Sequence, residues 1–336
     1  MAYVEQASDY STGDVITATE YNQLLDNIIY NHDYSRPFRN RLINGNFIVD
    51  QYSSGPFSST LTAATEEYVI DRWYAEATGG TPAGAQVAGT GNRQFHYQFT
   101  GAASVSALKF GQRIEAANIQ DQAGETVTIS VYLANSVLTS VGWAVTYADS
   151  EDDFSSVTAI DSGSWTVDGT MTQYTAEVDL PANAANGIQL ELSVGAQTSG
   201  TWTVGNVQLE PGDTATEFDV REVGTELAMC LRRGRVVDYE TTGSRFGLGF
   251  HDTASSFRGF LYFNVEMASI PTLVAASGTN YWNMYRNGGV AAANSISLSA
   301  ATRSMCEIEA SGGGTAGHAG TVFLNPAAWA FLTCEL

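Results

Sequence analysis

One segment of this 336-residue chain combines the side chains that sugar recognition requires. Residues 279–289 include three large aromatic residues, three asparagines and one arginine. An aromatic ring can stack on the C–H face of a pyranose, and amide or guanidinium groups can bind its hydroxyls. Trp282, Tyr285 and Arg286 are therefore candidate ligand-binding residues. The alternative is a strand that buries Trp282 and Met284 in a hydrophobic core.

A second group of aromatic residues offers the same chemistry. Trp143, Tyr147 and Trp165 combine large rings with polar neighbours. Trp143 and Trp165 are the next candidate ligand-binding residues, and packing in a core is the alternative for both.

Candidate catalytic groups do not form a recognisable set. Glycoside hydrolysis needs two carboxylates on either side of the scissile bond, and a chain with 36 acidic residues offers pairs such as Glu151 and Asp153 by chance. The acidic run 149–153 is more simply a solvated loop. The four histidines are far apart, and neither Gly-x-Ser-x-Gly nor His-Glu-x-x-His occurs. We predict that the protein is not an enzyme and has no catalytic residues.

Metal and cofactor motifs are also missing from the sequence. The acidic run 149–153 lacks the Asp-x-Asp-x-Asp-Gly spacing of a calcium loop. Lys109 is the only lysine and has no phosphate-binding glycines around it. The three cysteines are too far apart for a Cys-x-x-Cys motif, and their odd number argues against a disulfide framework. We expect no metal ligands and no cofactor.

The charge balance excludes two classes of partner. Fifteen Lys and Arg residues against 36 Asp and Glu residues give a net charge of −21, so nucleic acids and anionic membrane surfaces would repel the protein. No apolar stretch approaches the ~18 residues of a membrane span, and the amino-terminal residues do not have the pattern of a secretory signal. We predict neither nucleic-acid binding nor membrane insertion.

The best helix signal lies near the amino terminus, at residues 13–33. Thr17 and Glu20 have the spacing of a capping box, with Thr17 as the N-cap. Apolar residues then recur at helical spacing, and these are Tyr21, Leu24, Leu25, Ile28 and Ile29. A lone amphipathic helix must bury such a stripe. We predict that the stripe mediates oligomerisation, and docking on the following domain is the alternative.

Strand patterns dominate the rest of the chain. Residues 125–133 alternate polar and apolar side chains, and further strands follow without helices between them, which indicates a sandwich or jelly roll. A short helix is predicted at about 225–233. Strands resume after it, including one long alternating strand over 257–267.

These patterns predict a mainly β protein. It has an N-terminal helix, a central β jelly-roll sandwich, a short linking helix and a small C-terminal β-sandwich. The chain is longer than the ~250 to 300 residues at which one core stops growing, so more than one domain is expected. The predicted units are residues 1–43, 44–220 and 221–336.

Three segments of the chain resemble a known family. Residues 41–52 and 68–74 resemble the opening of carbohydrate-binding-module-like jelly rolls in bacteriophage tail fibre and receptor-binding proteins, and residues 204–219 resemble the closing strand of the same domain. A helix similar to residues 226–233 often follows that strand in such proteins. The segment 13–18 is similar to the virion-attachment ends of phage structural proteins.

The resemblance implies a homotrimeric virion structural protein, a tail fibre or receptor-binding protein, that attaches to glycans on the host surface. Its implied partners are copies of itself, other virion proteins bound through the N-terminal segment, and the host glycan. Such a protein is assembled in the host cytoplasm and resides in the virion. A capsid head fibre or decoration protein, and a polysaccharide depolymerase on the same architecture, are the alternatives.

Two further expectations follow from the resemblance. Jelly rolls of this kind often hold a structural calcium between their first and last strands, where this chain has Asn46 and Asn206 in place of acids. A structural calcium at this place is therefore an alternative that these two residues do not support. An attachment helix at one end leaves the other end outermost, so the receptor-binding surface is expected within residues 221–336.

Overall fold

The computed structural model describes residues 17, 19–24, 38–52, 60–89, 95–238, 245–286, 289–324 and 329–336. Within these ranges the chain is mainly β, as the strand patterns predict. The helices are α1, described over residues 19–24, α2 (Ala116–Ile119) and α3 (Val223–Leu231), with 3₁₀ turns at Gln120–Gln122 and Ala182–Asn186. No helix among the described residues is long and apolar enough to cross a membrane.

The strands of the described residues are, in chain order, β1 (Glu66–Ile70), β2 (Trp73–Thr78), β3 (Ala83–Ala88), β4 (Phe95–Thr100), β5 (Ala107–Glu115), β6 (Thr126–Asn135), β7 (Ser140–Ser150), β8 (Asp153–Thr166), β9 (Thr172–Asp179), β10 (Gly187–Val194), β11 (Thr201–Pro211), β12 (Gly234–Asp238), β13 (Arg245–His251), β14 (Ser256–Tyr262), β15 (Thr272–Ala275), β16 (Trp282–Arg286), β17 (Gly289–Ala293), β18 (Ile296–Ala301), β19 (Met305–Ser311), β20 (Ala319–Leu324) and β21 (Ala330–Thr333).

Strands β1 to β11 form a jelly-roll sandwich. In the described part of the chain, β1-β2-β5-β10-β7-β8 make a six-stranded antiparallel sheet and β3-β4-β11-β6-β9 a five-stranded one. Their shared core contains the fully buried rings of Trp73, Phe99, Phe110 and Trp202. Burial of such large apolar surfaces is the main stabilising term of the sandwich.

The side chains of β6 alternate between the two faces of the sheet, as the sequence predicts. Val127, Ile129 and Val131 point into the sandwich core. Thr128 lies on the opposite side of the sheet, where its hydroxyl donates to the carbonyl oxygen of Gly212 at 2.7 Å. Successive side chains of a strand point to opposite faces, so one strand serves both the core and the outer polar layer.

Strands β12 to β21 form a second pair of packed sheets. Among the described residues, β12-β21-β15 make a three-stranded sheet and β17-β16-β20-β13-β14-β19-β18 a seven-stranded sheet. Phe257, Trp282, Met284 and Val322 of the larger sheet pack with Ala330 of the smaller sheet in one core. This is the small sandwich that the strand patterns predict after the linking helix.

The strand predicted over 257–267 is too long at its C-terminal end. β14 stops at Tyr262, and the backbone N–H of Met267 donates to the carbonyl oxygen of Arg303 at 2.8 Å. Met267 is fully buried beside Cys306 and Leu332. The strand ends before Met267 because this side chain is buried between the two sheets. Such a contact depends on tertiary packing, which the local sequence pattern does not report.

A buried ionic cluster joins the jelly roll to the second sandwich, and it consists of Arg72, Glu115, Arg233 and Glu335. Arg233 Nε donates to Glu115 Oε1 at 2.7 Å, and Arg72 forms an ion pair with Glu335. Each side chain is at most 7% exposed. Burial alone would raise the pKa of Glu115, but the hydrogen bond and charge of Arg233 lower it.

Asp71 lies beside this cluster and is 1% exposed. Its carboxylate accepts hydrogen bonds from the backbone N–H of Gln51 at 2.6 Å and from the Gln51 side chain. Burial nevertheless raises the pKa of Asp71 to about 7, because desolvation outweighs these two hydrogen bonds. The Asp71 carboxyl therefore keeps its proton to a much higher pH than an exposed Asp does.

The start of α1 has the predicted capping box. The backbone N–H of Glu20 donates to Thr17 Oγ1 at 3.3 Å, and that of Thr17 donates to Glu20 Oε2 at 2.8 Å. Tyr21 and Leu24 are 54% and 41% exposed, so the described residues leave both side chains open to a partner. The rest of the stripe, Leu25, Ile28 and Ile29, lies outside the described residues.

Candidate ligand-binding face

The outer side of the seven-stranded sheet carries large apolar side chains that point away from the core. We call this surface the aromatic face, and it consists of Leu248, Phe250, Phe260, Tyr262, Tyr285 and Val290. Leu248 is 76%, Tyr262 77% and Tyr285 46% exposed. Exposed apolar patches of this kind mark interaction sites more often than scattered single residues do.

Strand pairing brings these residues into one row. Val290 pairs with Tyr285, Tyr285 with Thr321, Thr321 with Leu248, and Leu248 with Phe260. Paired residues on neighbouring strands lie on the same side of a sheet. The row therefore crosses five strands, from β17 to β14.

A bulge in β13 sets which side chains face outward. The pairing of β13 with β20 shifts between Phe246 and Leu248, and Gly247 between them has a φ of +61°. Glycine adopts this left-handed conformation without the strain that other residues meet. After the bulge, Leu248 and Phe250 are exposed while His251 is fully buried.

Two ring contacts organise the aromatic face. The rings of Phe250 and Phe260 lie 6.4 Å apart at an interplanar angle of 32°. The guanidinium carbon of Arg245 lies 4.6 Å from the ring centroid of Tyr285, which is a cation–π contact. Each contact places one ring of the face against a neighbouring side chain.

A charged group borders the Phe250–Phe260 pair. Arg258 Nε donates to Asp252 Oδ2 at 2.7 Å, and Arg258 Nη1 donates to Glu307 Oε1 at 2.6 Å. The hydrogen bond from Arg258 lowers the pKa of Asp252, and hydrogen bonds from Ser299 and then Arg258 lower that of Glu307. Both carboxylates are therefore ionised at neutral pH.

The structure separates the three residues predicted in the segment 279–289. Tyr285 lies on the aromatic face. Trp282 is on the other side of β16, fully buried, and its Nε1 donates to the carbonyl oxygen of Ala276 at 3.0 Å. The ligand-binding prediction for Trp282 is thus wrong and the core alternative correct, because no face of its ring is open. Arg286 ends β16, and its side chain lies outside the described part of the structure.

The second predicted pair, Trp143 and Trp165, lies at one edge of the jelly roll. Their ring centroids are 5.9 Å apart. Trp143 is 8% exposed and belongs to the sandwich core, so its ring cannot serve as a binding platform. Trp165 is half-buried, and its Nε1 donates to the carbonyl oxygen of Thr175 at 2.9 Å, which links β8 to β9.

Sequence reasoning missed most of the aromatic face. Arg258, Phe260 and Tyr262 alternate along β14, and this pattern places them on one side of the sheet. The signal for β13 is weaker, because the bulge at Gly247 breaks the alternation between Phe246 and Leu248, so simple alternation would assign Phe246, Leu248 and Phe250 to one side.

The acidic run 149–153 closes the β7–β8 hairpin. Asp149 accepts hydrogen bonds from the hydroxyls of Ser156 at 2.5 Å and Thr158 at 2.7 Å, and Asp152 accepts one from the backbone N–H of Ala116 at 2.7 Å. These contacts are structural. Among the described residues, no group of three or more His, Cys, Asp or Glu side chains is arranged to hold a metal ion.

A cleft of about 740 Å³ lies between the jelly roll and the second sandwich. Arg113 and Arg233 contribute to its wall, with Phe154 and Ile270. Arg113 donates to Glu66 and Gln189, and Arg233 donates to Glu115. Both cations are already paired, and Phe154, the aromatic ring of the cleft wall, is half-buried. The cleft therefore offers less open ring surface to a ligand than the aromatic face does.

No protein-family model and no curated protein matches this chain. Similar solved structures include a CBM4 structure, with 15% identity over 50% of this chain and 98% of that chain and a TM-score of 0.33. TmCBM61 in complex with β-1,4-galactotriose has 13% identity over 52% of this chain and 99% of that chain, with a TM-score of 0.33.

A phage protein is also similar to this chain. The enzymatically active domain of tailspike protein 4 from bacteriophage CBA120 has 16% identity over 53% of this chain, with a TM-score of 0.37. The match spans 22% of the tailspike chain. Each of the three structures thus matches about half of this chain.

Proposed function

We propose that this protein is a non-enzymatic bacteriophage virion protein, a tail fibre or receptor-binding protein, that attaches to host-surface glycans as a homotrimer. The observation that carries the glycan-binding part is the aromatic face. It offers exposed rings on a regular sheet, with carboxylates and a guanidinium at its border. This is the combination that pyranose recognition requires.

The rings and the charged groups of the aromatic face bind different parts of a sugar. The rings of Phe250, Phe260 and Tyr285 provide apolar area for the C–H faces of sugar rings. Glu307 accepts hydrogen bonds from sugar hydroxyls through Oε2, because Arg258 and Ser299 both donate to its Oε1. Apolar contact supplies affinity, and the hydrogen bonds supply orientation.

Oligomerisation through α1 supports the same function. Tyr21 and Leu24 are exposed in the described part of the helix, and we propose that the whole stripe packs against two further copies. A trimer presents three glycan-binding faces on one stem. Several weak sites on one assembly bind a surface far more tightly than a single site does. The N-terminal segment also attaches the trimer to other virion proteins.

The test compares host-cell binding of the wild-type protein with that of the Phe250→Ala/Tyr285→Ala variant. We expect binding to weaken by more than about tenfold, the effect of losing ring contacts worth more than ~1.4 kcal/mol together. Phe38→Ala is the matched control, because Phe38 is also exposed (53%) and also lies beneath a guanidinium, that of Arg221. Equal binding by wild type and the double variant would exclude the aromatic face as the site.

The same samples test the non-enzymatic part of the proposal. Purified protein is incubated with host capsule or lipopolysaccharide, and new reducing ends are measured. We expect none. Release of reducing ends would make the protein a depolymerase.

A further inference from the structure

The charges at the border of the aromatic face are unevenly distributed. Arg258 is the cross-strand partner of Phe250, and Glu307 is the cross-strand partner of Phe260. A sugar stacked on the Phe250–Phe260 pair therefore lies next to both charged groups. We call Asp252, Glu307 and Glu309 the acidic border.

Arg258 is not free to bind an anion. It donates to Asp252 and Glu307 at 2.7 and 2.6 Å, so its positive charge is already shared between two carboxylates. One guanidinium between two carboxylates leaves one net negative charge. Glu309, which pairs with Arg258 across the strands and accepts a hydrogen bond from Ser256 at 2.9 Å, adds a second.

The other described cation on this side of the sheet is Arg245. Its guanidinium lies over the ring of Tyr285. Arg245 is the first residue of β13, whereas Phe250 is near the end of that strand. The Phe250–Phe260 pair thus has the acidic border beside it, and Arg245 is closer to Tyr285. The chain as a whole has a net charge of −21, which adds to the negative potential at the face.

Resting on the function proposed above, we propose that the aromatic face selects uncharged sugars and rejects acidic ones. Ionised carboxylates accept hydrogen bonds from neutral hydroxyls but repel the carboxylate, sulfate or phosphate of an acidic sugar. Specificity of this kind comes from an unfavourable contact with the wrong ligand. The acidic border supplies that contact next to the ring pair.

The experiment uses an array of neutral hexose oligosaccharides printed beside their uronate and sulfated counterparts. We expect the wild-type protein to bind neutral members about tenfold more tightly than acidic ones at low salt, with a smaller ratio in high salt because exposed charges are screened. The variant Asp252→Asn/Glu307→Gln leaves Arg258 unpaired. We expect the neutral-to-acidic ratio to fall about fivefold or more in this variant.

Asp161→Asn/Glu177→Gln is the matched control. Both residues are exposed on the jelly roll, so the control changes the net charge by the same amount without altering the acidic border. Its ratio should equal that of the wild type. If Asp252→Asn/Glu307→Gln lowers the melting temperature, Glu307→Gln alone keeps one carboxylate on Arg258 and should shift the ratio in the same direction.

Two failures are distinguishable. If the wild type bound acidic glycans more tightly and Phe250→Ala lost that binding, the selectivity would be overturned and the glycan-binding function kept. An unchanged ratio of neutral to acidic affinity in Asp252→Asn/Glu307→Gln would have the same meaning. Absence of binding to every array member, together with unchanged host-cell binding by Phe250→Ala, would overturn the proposed function itself.

Discussion

Tyr285 and Trp282 show how one strand divides its residues between two roles. They are three positions apart in β16, and they lie on opposite sides of the sheet. We expect Tyr285→Ala to weaken host-cell binding about five- to tenfold, because an exposed ring is lost from the ligand platform. The melting temperature should stay close to that of the wild type. Binding isotherms and thermal melts on the same samples measure both quantities.

Trp282→Ala is the contrasting control for this prediction. Removal of a fully buried Trp leaves a cavity, which typically reduces the free energy of unfolding by ~3 to 5 kcal/mol. A large fall in stability for Tyr285→Ala with no specific effect on binding would contradict the assignment of that side chain to a ligand surface.

Asp71 makes stability depend on pH. Burial raises its pKa from 3.8 to about 7 in the folded protein, so the folded state holds the proton more tightly than the unfolded state does. The stabilisation from protonated Asp71 is full below about pH 4 and is lost as the pH rises towards 7. Asp71→Asn cannot ionise. The free energy of unfolding should fall less between pH 4 and pH 7 in this variant than in the wild type, by on the order of 2 to 4 kcal/mol. Denaturant titration at the two pH values measures the difference.

The control for this pH dependence is Asp161→Asn, at an exposed position. It should leave the slope of stability against pH unchanged. A wild-type slope that persists in Asp71→Asn would mean that another group carries the proton uptake.

At the scale of elements, the aromatic face depends on close contact between β13 and β14. A Cβ atom at Gly249 would lie 1.7 Å from the carbonyl oxygen of Arg258. We therefore expect Gly249→Ala to force the two strands apart, lower the melting temperature and weaken glycan binding together. Gly313→Ala is the control, since no heavy atom lies within 4 Å of its added Cβ; it should match the wild type in both measurements.

The helix α1 carries the prediction of oligomeric state. We expect light scattering to give the mass of a trimer at micromolar concentration, because Tyr21 and Leu24 lack cover from the described residues. Leu24→Asp should shift the mass towards the monomer, since a charge in the stripe opposes its burial. Asn22→Asp adds the same charge at an exposed position of the helix and should leave the mass unchanged. A monomer of the wild-type chain would refute the prediction.

These elements also show how far the sequence alone predicts this molecule. The capping box of Thr17 and Glu20, the alternation of β6 and the helix α3 depend on nearby residues, so their patterns are readable. The alternation of β16 also predicts that Trp282 and Tyr285 lie on opposite faces of the strand. Which face is buried depends on the three-stranded sheet that packs on it, and a bulge at Gly247 reverses the local pattern of β13. Sheet order and the aromatic face are therefore products of long-range packing.

At the scale of the whole molecule, the ionic cluster couples the two sandwiches. Arg72 is 2% exposed and pairs with Glu335 and Glu115. We expect Arg72→Met to reduce the free energy of unfolding by ~3 to 5 kcal/mol, because it leaves Glu335 buried without its guanidinium. The double variant Arg72→Met/Glu335→Gln should recover part of the loss. Denaturant titration measures both.

Arg303→Met is the control for the cluster, since the Arg303–Glu266 pair is more than half exposed on both sides. Exposed pairs contribute little to stability. Equal effects of Arg72→Met and Arg303→Met would mean that the cluster does not couple the sandwiches.

The ionic cluster has a consequence for the order in which the chain folds. Arg233 is 118 residues from its partner Glu115, and Glu335 is 263 residues from Arg72. During synthesis Arg233 follows the last jelly-roll strand, which ends at Pro211, by 22 residues, whereas Glu335 follows it by 124. Arg72 and Glu115 are therefore joined early by Arg233 but not by Glu335. Contacts of such long range also form slowly. Two guanidinium groups then share one carboxylate, and one positive charge of the cluster lacks its partner until Glu335, which follows β21, has been made.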